Sequence, residues 1–545
     1  MLGFTTEAGQ VASRKDIELQ VGIVQRFGDQ PTDSLTLQAQ PGDRLTIRFI
    51  TGGKPQTLTS NTAKLSVLLE PLSEARLEER VVISTHRSFE SAEENANRWR
   101  SQGIPVEIAQ PKRWQVWAKR DVYTTPLLRR LLLQSLQAKG IQTAYVNTQL
   151  LQKQPQASVL VNGYRFNRSQ IDISSQKGLV QVSPVDQEQS RLYAGRMRLQ
   201  PNAYRTYTLV NWVPLEAYLR GVVPHEIGTS ASQSVLQVQA ILARTYALRN
   251  LRRFAIDGYQ LCADTQCQVY NGLSGTAITT DRAIAVTRGL VLTYQNELVD
   301  AVYSAATGGV TASFNEVWEG PNRPYLQAKI DSVANQWDLS QQTLADERNF
   351  RHFLKQKNGF NEQEQEWFRW RYESDLDELS KDLRDYLKTL RSPLANFKTI
   401  QRLEIAQRSP AGRVQKLLVT TDHGKIELEK DNILNAFYAP ASLLFYLDPI
   451  YDAQKKLKGY AFVGGGLGHG VGLSQTGSYH LGKLGWSSDR ILSFYFPGTQ
   501  VQPVNNSIIF WRDSKTPPRS SEEGSQNASE QGGVKGEPGT PEQRK

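Results

Sequence analysis

Val235, Val238, Leu242 and Tyr246 recur at spacings of three and four, and this period predicts a helix running on from Ser232. Leu236, Ala240, Ala243 and Ala247 fill much of the remaining cylinder, so the helix is expected to be buried on most sides. A hydroxyl at Ser230 or Ser232 can cap it by accepting from orphan backbone N–H groups. Ahead of it lie a short apolar strand-like entry, Pro214, and a turn carrying Leu215, Tyr218, Leu219 and Val222. Between turn and helix sits an isolated acid, Glu226, beside Gly228. An ionisable group at the mouth of a buried helix is costly to place without a purpose. Glu226 is therefore the first candidate for chemistry.

Elsewhere the pattern divides the chain. Residues 1–18 read as a flexible lead. From Leu19, QVGIVQRF and LTLQAQPGDRLTIRFI alternate apolar and polar positions between Gly and Pro turns, which predicts a small β unit over 19–79. Residues 80–146 then read as β-α-β-β-α-β: RVVISTHRSF, SAEENANRWRSQG, a hairpin in PVEIAQPKRWQVWAKRDVY, TPLLRRLLLQSLQAKG and IQTAYV. That order fits a small sheet with both helices on one face. Short strands from Ser158 to Val210 lead into the central stretch. Residues 333–395 are charge-rich and helical, as in SKDLRDYLKTLRS, and read as an inserted subdomain with solvated faces. RVQKLLVTTDHGKIELEK returns to a hairpin. Residues 514–545 are rich in Ser, Glu, Gly, Pro and Gln without apolar anchors, so disorder is expected there. The fold class is α+β, multidomain, with mixed sheets around a buried central helix.

The chain has 545 residues, 39% of them hydrophobic, ample for sizeable cores. No apolar run approaches the roughly 18 residues of a membrane span. The first fifteen residues, MLGFTTEAGQVASRK, carry neither a basic start nor a continuous apolar segment, which taken alone points to the cytoplasm. A net charge of +10 favours polyanionic partners. Zinc-finger spacing, an RNA-binding aromatic signature and a Walker loop are all missing, so nucleic acid is not the expected partner.

Several chemistries fail on spacing. His225-Glu226 begins an HExxH motif, but position 229 is Thr and the next histidine is His352. GLSQTG lacks the G-x-S-x-G spacing of a nucleophile elbow. Six scattered histidines make poor zinc-amidase ligands. Cys262 and Cys267, spaced C-x4-C, leave three readings open: a short-loop disulfide, half a zinc site, or two thiols. The glycine density of 464–478, GGGLGHGVGLSQTGS, speaks for backbone at positive φ or in close contact.

LEAYLRGVVPHEI followed by QAILARTYAL resembles the signature of the stage II sporulation protein D and amidase enhancer family (SpoIID/LytB). CQVYNG at 267–272, YSAATGGVTASFNEVWEG at 303–320 and GHGVGLSQTGS at 468–478 match in the same order. The resemblance covers roughly 155–510. It implies an extracytoplasmic lytic transglycosylase of peptidoglycan, acting on denuded glycan strands without a cofactor. A lone Glu, here Glu226, would protonate the leaving oxygen and then activate the muramic acid's own C6 hydroxyl, leaving 1,6-anhydro-muramyl ends. Partial burial would keep that carboxyl protonated. By the same resemblance Gln268, Tyr270, Thr307, His469, Ser474, Gln475 and Arg244 are expected to contact substrate. Asn271, Gly308 and Gly309 complete the matching turns.

Some members bind zinc through the cysteine pair and an upstream histidine. Phe254 to Gln260 contains none, so a disulfide without metal is expected, His225 being the one nearby substitute ligand. The alternative function is a non-catalytic wall-binding enhancer of an N-acetylmuramoyl-L-alanine amidase. A hydrolase pairing Glu226 with Asp264 or Glu316 is a third. Residues 80–146 resemble a SPOR domain, implying a glycan-binding surface at Lys112, Arg113, Lys119 and Arg120 with Trp114 and Trp117 interleaved; the competing reading is an ordinary exposed hairpin whose tryptophans pack on the helices.

Overall fold

The computed structural model describes residues 16–184, 190–334 and 336–511. Of the flexible lead expected over 1–18, residues 1–15 lie outside them, as does the tail expected over 514–545. The end of that lead is corrected: the Ile17 carbonyl accepts the Leu215 N–H at 2.8 Å and Glu18 opens a strand. Within 19–79 the alternation becomes strands whose apolar side faces a core, as Leu35, Leu37 and Ala39 do in Ser34–Ala39. Those strands do not stand alone. Glu18–Phe27 pairs antiparallel with Tyr207–Pro214, Glu18 lying opposite Pro214, and parallel with Leu261–Cys262. Ser34–Ala39 pairs with Leu179–Pro184. A seven-stranded and an eight-stranded sheet result, drawing strands from both sides of the 80–146 region. Leu37, Leu65 and Val159 from one sheet share a core with Ile47, Ile173 and Leu199 from the other.

The β-α-β-β-α-β order over 80–146 is present, with helices α1 (Phe89–Ser101) and α2 (Pro126–Ala138). Its outer strands continue beyond the expected limits. Thr62–His86 is a single strand of 25 residues, and Tyr145–Val161 pairs along most of it. The boundary expected at 79/80 thus falls inside one strand and separates no sheets. Phe89, Ala92, Ala96, Trp99, Leu132 and Leu136 bury both helices against Val81, Ile83 and Val116.

The hairpin Val106–Ala109 and Trp114–Ala118 corrects the sugar-binding expectation for this region. Positions 114 and 117 are an odd number apart, so their side chains leave opposite faces of the sheet. Trp114 is 1% exposed, between Phe89 and Phe254 at centroid distances of 5.1 and 5.2 Å. Trp117, also 1% exposed, packs edge-on against Tyr204. Neither ring is free to stack on a sugar. Arg120 is bound to Glu107 at 2.7 Å, Lys119 to Asp121 at 3.1 Å, and Arg113 lies over the Tyr386 ring, leaving Lys112 as the exposed member without such a partner among the described residues.

Where a turn was expected after Pro214, the chain forms a helix, α3 (Leu215–Ile227), with Pro224 inside its last turn. Helix α4 (Gln233–Arg249) follows, with Ser232 accepting from the Val235 N–H as its cap. It is buried along nearly its whole length, as its composition demands. Arg244 corrects another expectation. It is fully buried and bidentate to Glu216 at 2.9 and 2.8 Å, which ties α4 to α3 and leaves no donor for substrate.

Residues 333–395 are not a solvated insertion. Phe350, Phe353, Phe360 and Phe368 form a core with Val310 and Leu444, and the strand Trp370–Asp375 pairs with Leu457–Gly464. The hairpin Val414–Thr421 and Gly424–Glu429 forms where expected. No helix among the described residues is long and apolar enough to cross a membrane.

The buried position of Trp114 sets a stability expectation. Trp114→Ala should cost about 3–5 kcal/mol of unfolding free energy, the range for a large aromatic removed from a core. The check is a denaturant titration of the full chain; a loss below about 1 kcal/mol would place Trp114 at the surface instead.

Candidate functional site

Glu226 lies in the last turn of α3, where the helix carbonyls disfavour a negative charge. Gly228 ends the helix at φ 74°, a conformation costly for other residues. The Glu226 side chain is half-buried and lines a cavity of about 660 Å³. Its Oε1 accepts the Val269 N–H at 2.7 Å. Burial raises its pKa above the ordinary carboxylate value, opposed by that N–H and by a hydrogen bond from Tyr303.

A chain of polar groups fixes the Tyr303 phenol. Tyr218 donates to Gln268 Oε1 at 3.1 Å, so Gln268 turns its Nε2 to Tyr303 at 3.1 Å. The Tyr303 hydrogen is then left for Glu226. Gln268 therefore acts behind the cavity wall, fully buried, and not on substrate. Tyr270 is likewise inside, donating to Asn211 at 2.8 Å between the rings of Tyr193 and Tyr218.

The glycine-rich segment closes the other side. Tyr303–Ser304 pairs in parallel with Leu473–Ser474, and Ala306 bridges Leu467. This pairing carries His469 and Gln475 to the cavity wall beside Glu226. Gln475 Nε2 donates to the Glu226 backbone carbonyl at 2.8 Å, fixing the end of α3. His469 Nδ1 accepts the Val471 N–H at 3.0 Å, and its ring lies tilted at 53° to that of Trp318, centroids 4.9 Å apart. Burial, with Arg413 adding to it, lowers its pKa to about 4, so His469 is a neutral polar wall. A Cβ on Gly308 would sit 2.6 Å from the Gly465 carbonyl carbon, which only glycine avoids.

Thr307 and Ser474 do not reach the cavity. Both are fully buried and bonded to Glu362, an acid in the stretch that reads as a charged insertion. Glu362 also accepts from the N–H groups of Thr307, Gly308 and Gly309 at 2.6, 2.7 and 3.1 Å. Asp331 adjoins it, held by Asn361 at 2.8 Å and Tyr495 at 2.9 Å. Burial and the neighbouring Glu362 raise the Asp331 pKa to about 8.

Cys262 and Cys267 are joined as a disulfide, with Cα atoms 5.6 Å apart, and Cys267 lines the cavity. His225 instead donates from Nδ1 to the Gly221 carbonyl at 3.0 Å. Asp264 and Glu316 are engaged in local turns, the latter in a capping box with Ser313. Neither lines the cavity.

Sequence patterns missed several polar residues that do line it, Tyr438, Arg253 and Gln266 among them. Arg87, Ser88 and Glu90 come from the entry to α1, and Asp431 from the segment after the hairpin. Ser304 Oγ and Asp431 Oδ2 line it with no hydrogen-bond partner among the described residues. Burial raises Asp431 to about 6, with Arg87 and Ser88 opposing. Ser304 stood in a recognised motif; the others carry no local signal.

Two families match. Residues 203–294 match that described as Stage II sporulation protein, and residues 312–472 a Domain of unknown function (DUF8618). The chain is 31% identical over 300 residues to the amidase enhancer of Bacillus subtilis (strain 168), covering 52% of this chain and 40% of that protein. It thus spans less than half of that relative. It is 24% identical over 369 residues to stage II sporulation protein D of the same organism, covering 64% and 92%. An uncharacterized protein of Brachyspira hyodysenteriae is 26% identical over 310 residues, covering 55% and 70%.

The Asp331–Glu362 pair yields a pH expectation. A folded pKa of about 8 against 3.8 unfolded means the native state holds the proton more tightly. That stabilisation is complete below the unfolded value and is lost as pH rises through the folded one. Asp331→Asn, which keeps an acceptor for Asn361 and Tyr495, should flatten this decline. Unfolding midpoints at pH 5 and pH 8 test it; a variant that loses more stability than the parent on going to pH 8 would reverse the assignment.

Proposed function

This chain belongs to the SpoIID/LytB family, and from that premise we propose that it is a lytic transglycosylase of peptidoglycan. Its substrate is the glycan strand freed of stem peptides. The observation that carries the reading is Glu226: a half-buried carboxyl with a raised pKa, on the wall of a cavity of about 660 Å³. A general acid must hold its proton when substrate arrives, and burial supplies that condition.

In the first half-reaction Glu226 gives its proton to the glycosidic oxygen as the bond from C1 breaks. The positive charge that develops at C1 is matched by the new carboxylate. In the second half-reaction the C6 hydroxyl of the same sugar attacks C1 and passes its proton to Glu226. An intramolecular nucleophile needs no second carboxylate to activate water, unlike ordinary glycoside hydrolysis. The Val269 N–H and the Tyr303 phenol keep the carboxyl oriented and stabilise it while charged. His469, neutral throughout, offers a wall that does not compete for the proton. Such a substrate places the site of action outside the cytoplasm.

A second reading comes from the relative named amidase enhancer: the cavity binds wall glycan and stimulates a separate amidase without turnover.

Glu226→Gln separates the two. It keeps size and an acceptor for Val269 but cannot cycle a proton, so release of anhydro-muropeptides from sacculi should fall by about 10³-fold or more. Glycan binding should persist. In the parent, the rate should decline as pH rises through the raised pKa of Glu226, since the acid must be protonated. Mass spectrometry of digested sacculi reads the product. Reducing ends in place of anhydro ends would mean hydrolysis, and stimulation of an amidase unaffected by the substitution would favour the enhancer.

A further inference from the structure

The N-terminal half supplies part of the cavity wall through the entry to α1. Polar contacts hold that helix to the catalytic half. Glu93 is bidentate to Arg252 at 2.6 Å, Glu90 pairs with Arg253, Ser91 Oγ accepts the Glu319 N–H at 3.3 Å, and Arg98 meets Glu319 at 3.4 Å. Ser88 caps the helix, accepting from the Ser91 N–H at 3.3 Å. Arg87, immediately before it, is thereby presented at the cavity from a fixed backbone.

The partners of Arg87 are incomplete. It is exposed, and although Asp431 acts on it electrostatically, no carboxylate among the described residues comes within salt-bridge distance. Its one hydrogen bond among the described residues is a long contact of 3.5 Å to Asn435 Oδ1. Asp431, on the same cavity, is 7% exposed; Arg87 and Ser88 favour its charged form, and its Oδ2 has no hydrogen-bond donor among the described residues. A buried carboxyl oxygen without a donor is costly unless something polar completes it. At the rim stands Tyr438, 90% exposed, the most exposed large aromatic side chain among the described residues. A cation, an open acceptor and a bare aromatic ring on one cavity are the chemistry that binds an acidic sugar. The guanidinium takes a carboxylate, the acceptor takes an O–H or N–H, and the ring takes the apolar sugar face.

We propose that Arg87, Asp431 and Tyr438 form a specificity subsite for a carboxylate-bearing sugar, built by the N-terminal half onto the catalytic cavity. The proposal rests on the glycan reading above and extends it. The contribution of residues 80–146 to glycan recognition is then the single turn that enters α1, not the hairpin whose tryptophans are buried. Arg87 binds the free lactyl carboxylate of a denuded muramic acid. Asp431 accepts from a hydroxyl or acetamido N–H, and Tyr438 supports the ring of the same or the next sugar.

The test uses the full chain and two forms of one glycan. Strands freed of stem peptides carry free lactyl carboxylates; carbodiimide coupling to ammonia converts those to neutral amides. The parent should bind the carboxylate form at least about tenfold more tightly than the amide form, as a charge-assisted contact implies. Arg87→Ala should remove that difference, weakening binding to the carboxylate form about tenfold and leaving the amide form unchanged. Arg87→Gln should behave the same way, and Tyr438→Ala should weaken both forms alike. Matched thermal midpoints verify that these exposed positions leave the fold intact. If Arg87→Ala weakens both forms equally, or neither, the subsite is wrong while the glycan reading stands. If the parent binds neither form, both fall together.

Discussion

A single buried carboxyl, Glu362, holds the cavity's rear wall in one arrangement. It accepts from three successive backbone N–H groups, from the Thr307 hydroxyl and from the Ser474 hydroxyl. Thr307 follows the strand that carries Tyr303 and Ser304, and Ser474 lies in the glycine-rich segment that carries His469. Binding both to one group fixes the parallel pairing of Tyr303–Ser304 with Leu473–Ser474. The two segments reach the Glu226 carboxyl together because of that pairing. So many donors at one group also explain how a carboxyl can be fully buried here, since each replaces a lost water contact.

From that wall the site is assembled by indirect support. Gln268 never touches the cavity, yet its amide has one orientation that satisfies both Tyr218 and Tyr303. That orientation aims the Tyr303 hydrogen at the acid. Gln475 acts on the backbone, pinning the end of α3 through the Glu226 carbonyl. The disulfide joins the ends of the loop that leads to Val269, whose N–H holds the acid. A motif can thus be a good guide to a site while most of its polar residues face away from the cavity. Their work is to leave the acid one permitted geometry.

The N-terminal half is bound into this arrangement by strands and charge. Glu18–Phe27 lies between Tyr207–Pro214 and Leu261–Cys262, so the β structure beneath α3 includes the start of the described chain. Charge pairs from α1 to Arg252 and Arg253 join it again at the cavity. A substrate entering there would meet both halves at once.

Much of this was legible locally. The period of three and four over α4, its Ser232 cap, the alternating strands and the β-α-β-β-α-β order are all read from neighbours in the chain, because helix and strand geometry are local. Glu226 stood out for the same reason, as a charge in an apolar setting. The C-x4-C spacing alone left three readings open; the want of a histidine upstream made the disulfide the expected one, and the fold joins the two sulfurs. What only the tertiary structure decided was burial and company. Trp114 and Trp117 look like a sugar platform beside four cations but face two separate cores. Arg244, Tyr270, Thr307 and Ser474 sit in matching motifs, yet each is consumed by an interior partner. Glu362, in a charge-rich run, became the anchor of a wall from a residue 112 positions away. Sequence spacing specifies which face of an element a side chain occupies, but whether that face meets water, substrate or another element depends on contacts between residues remote in the chain.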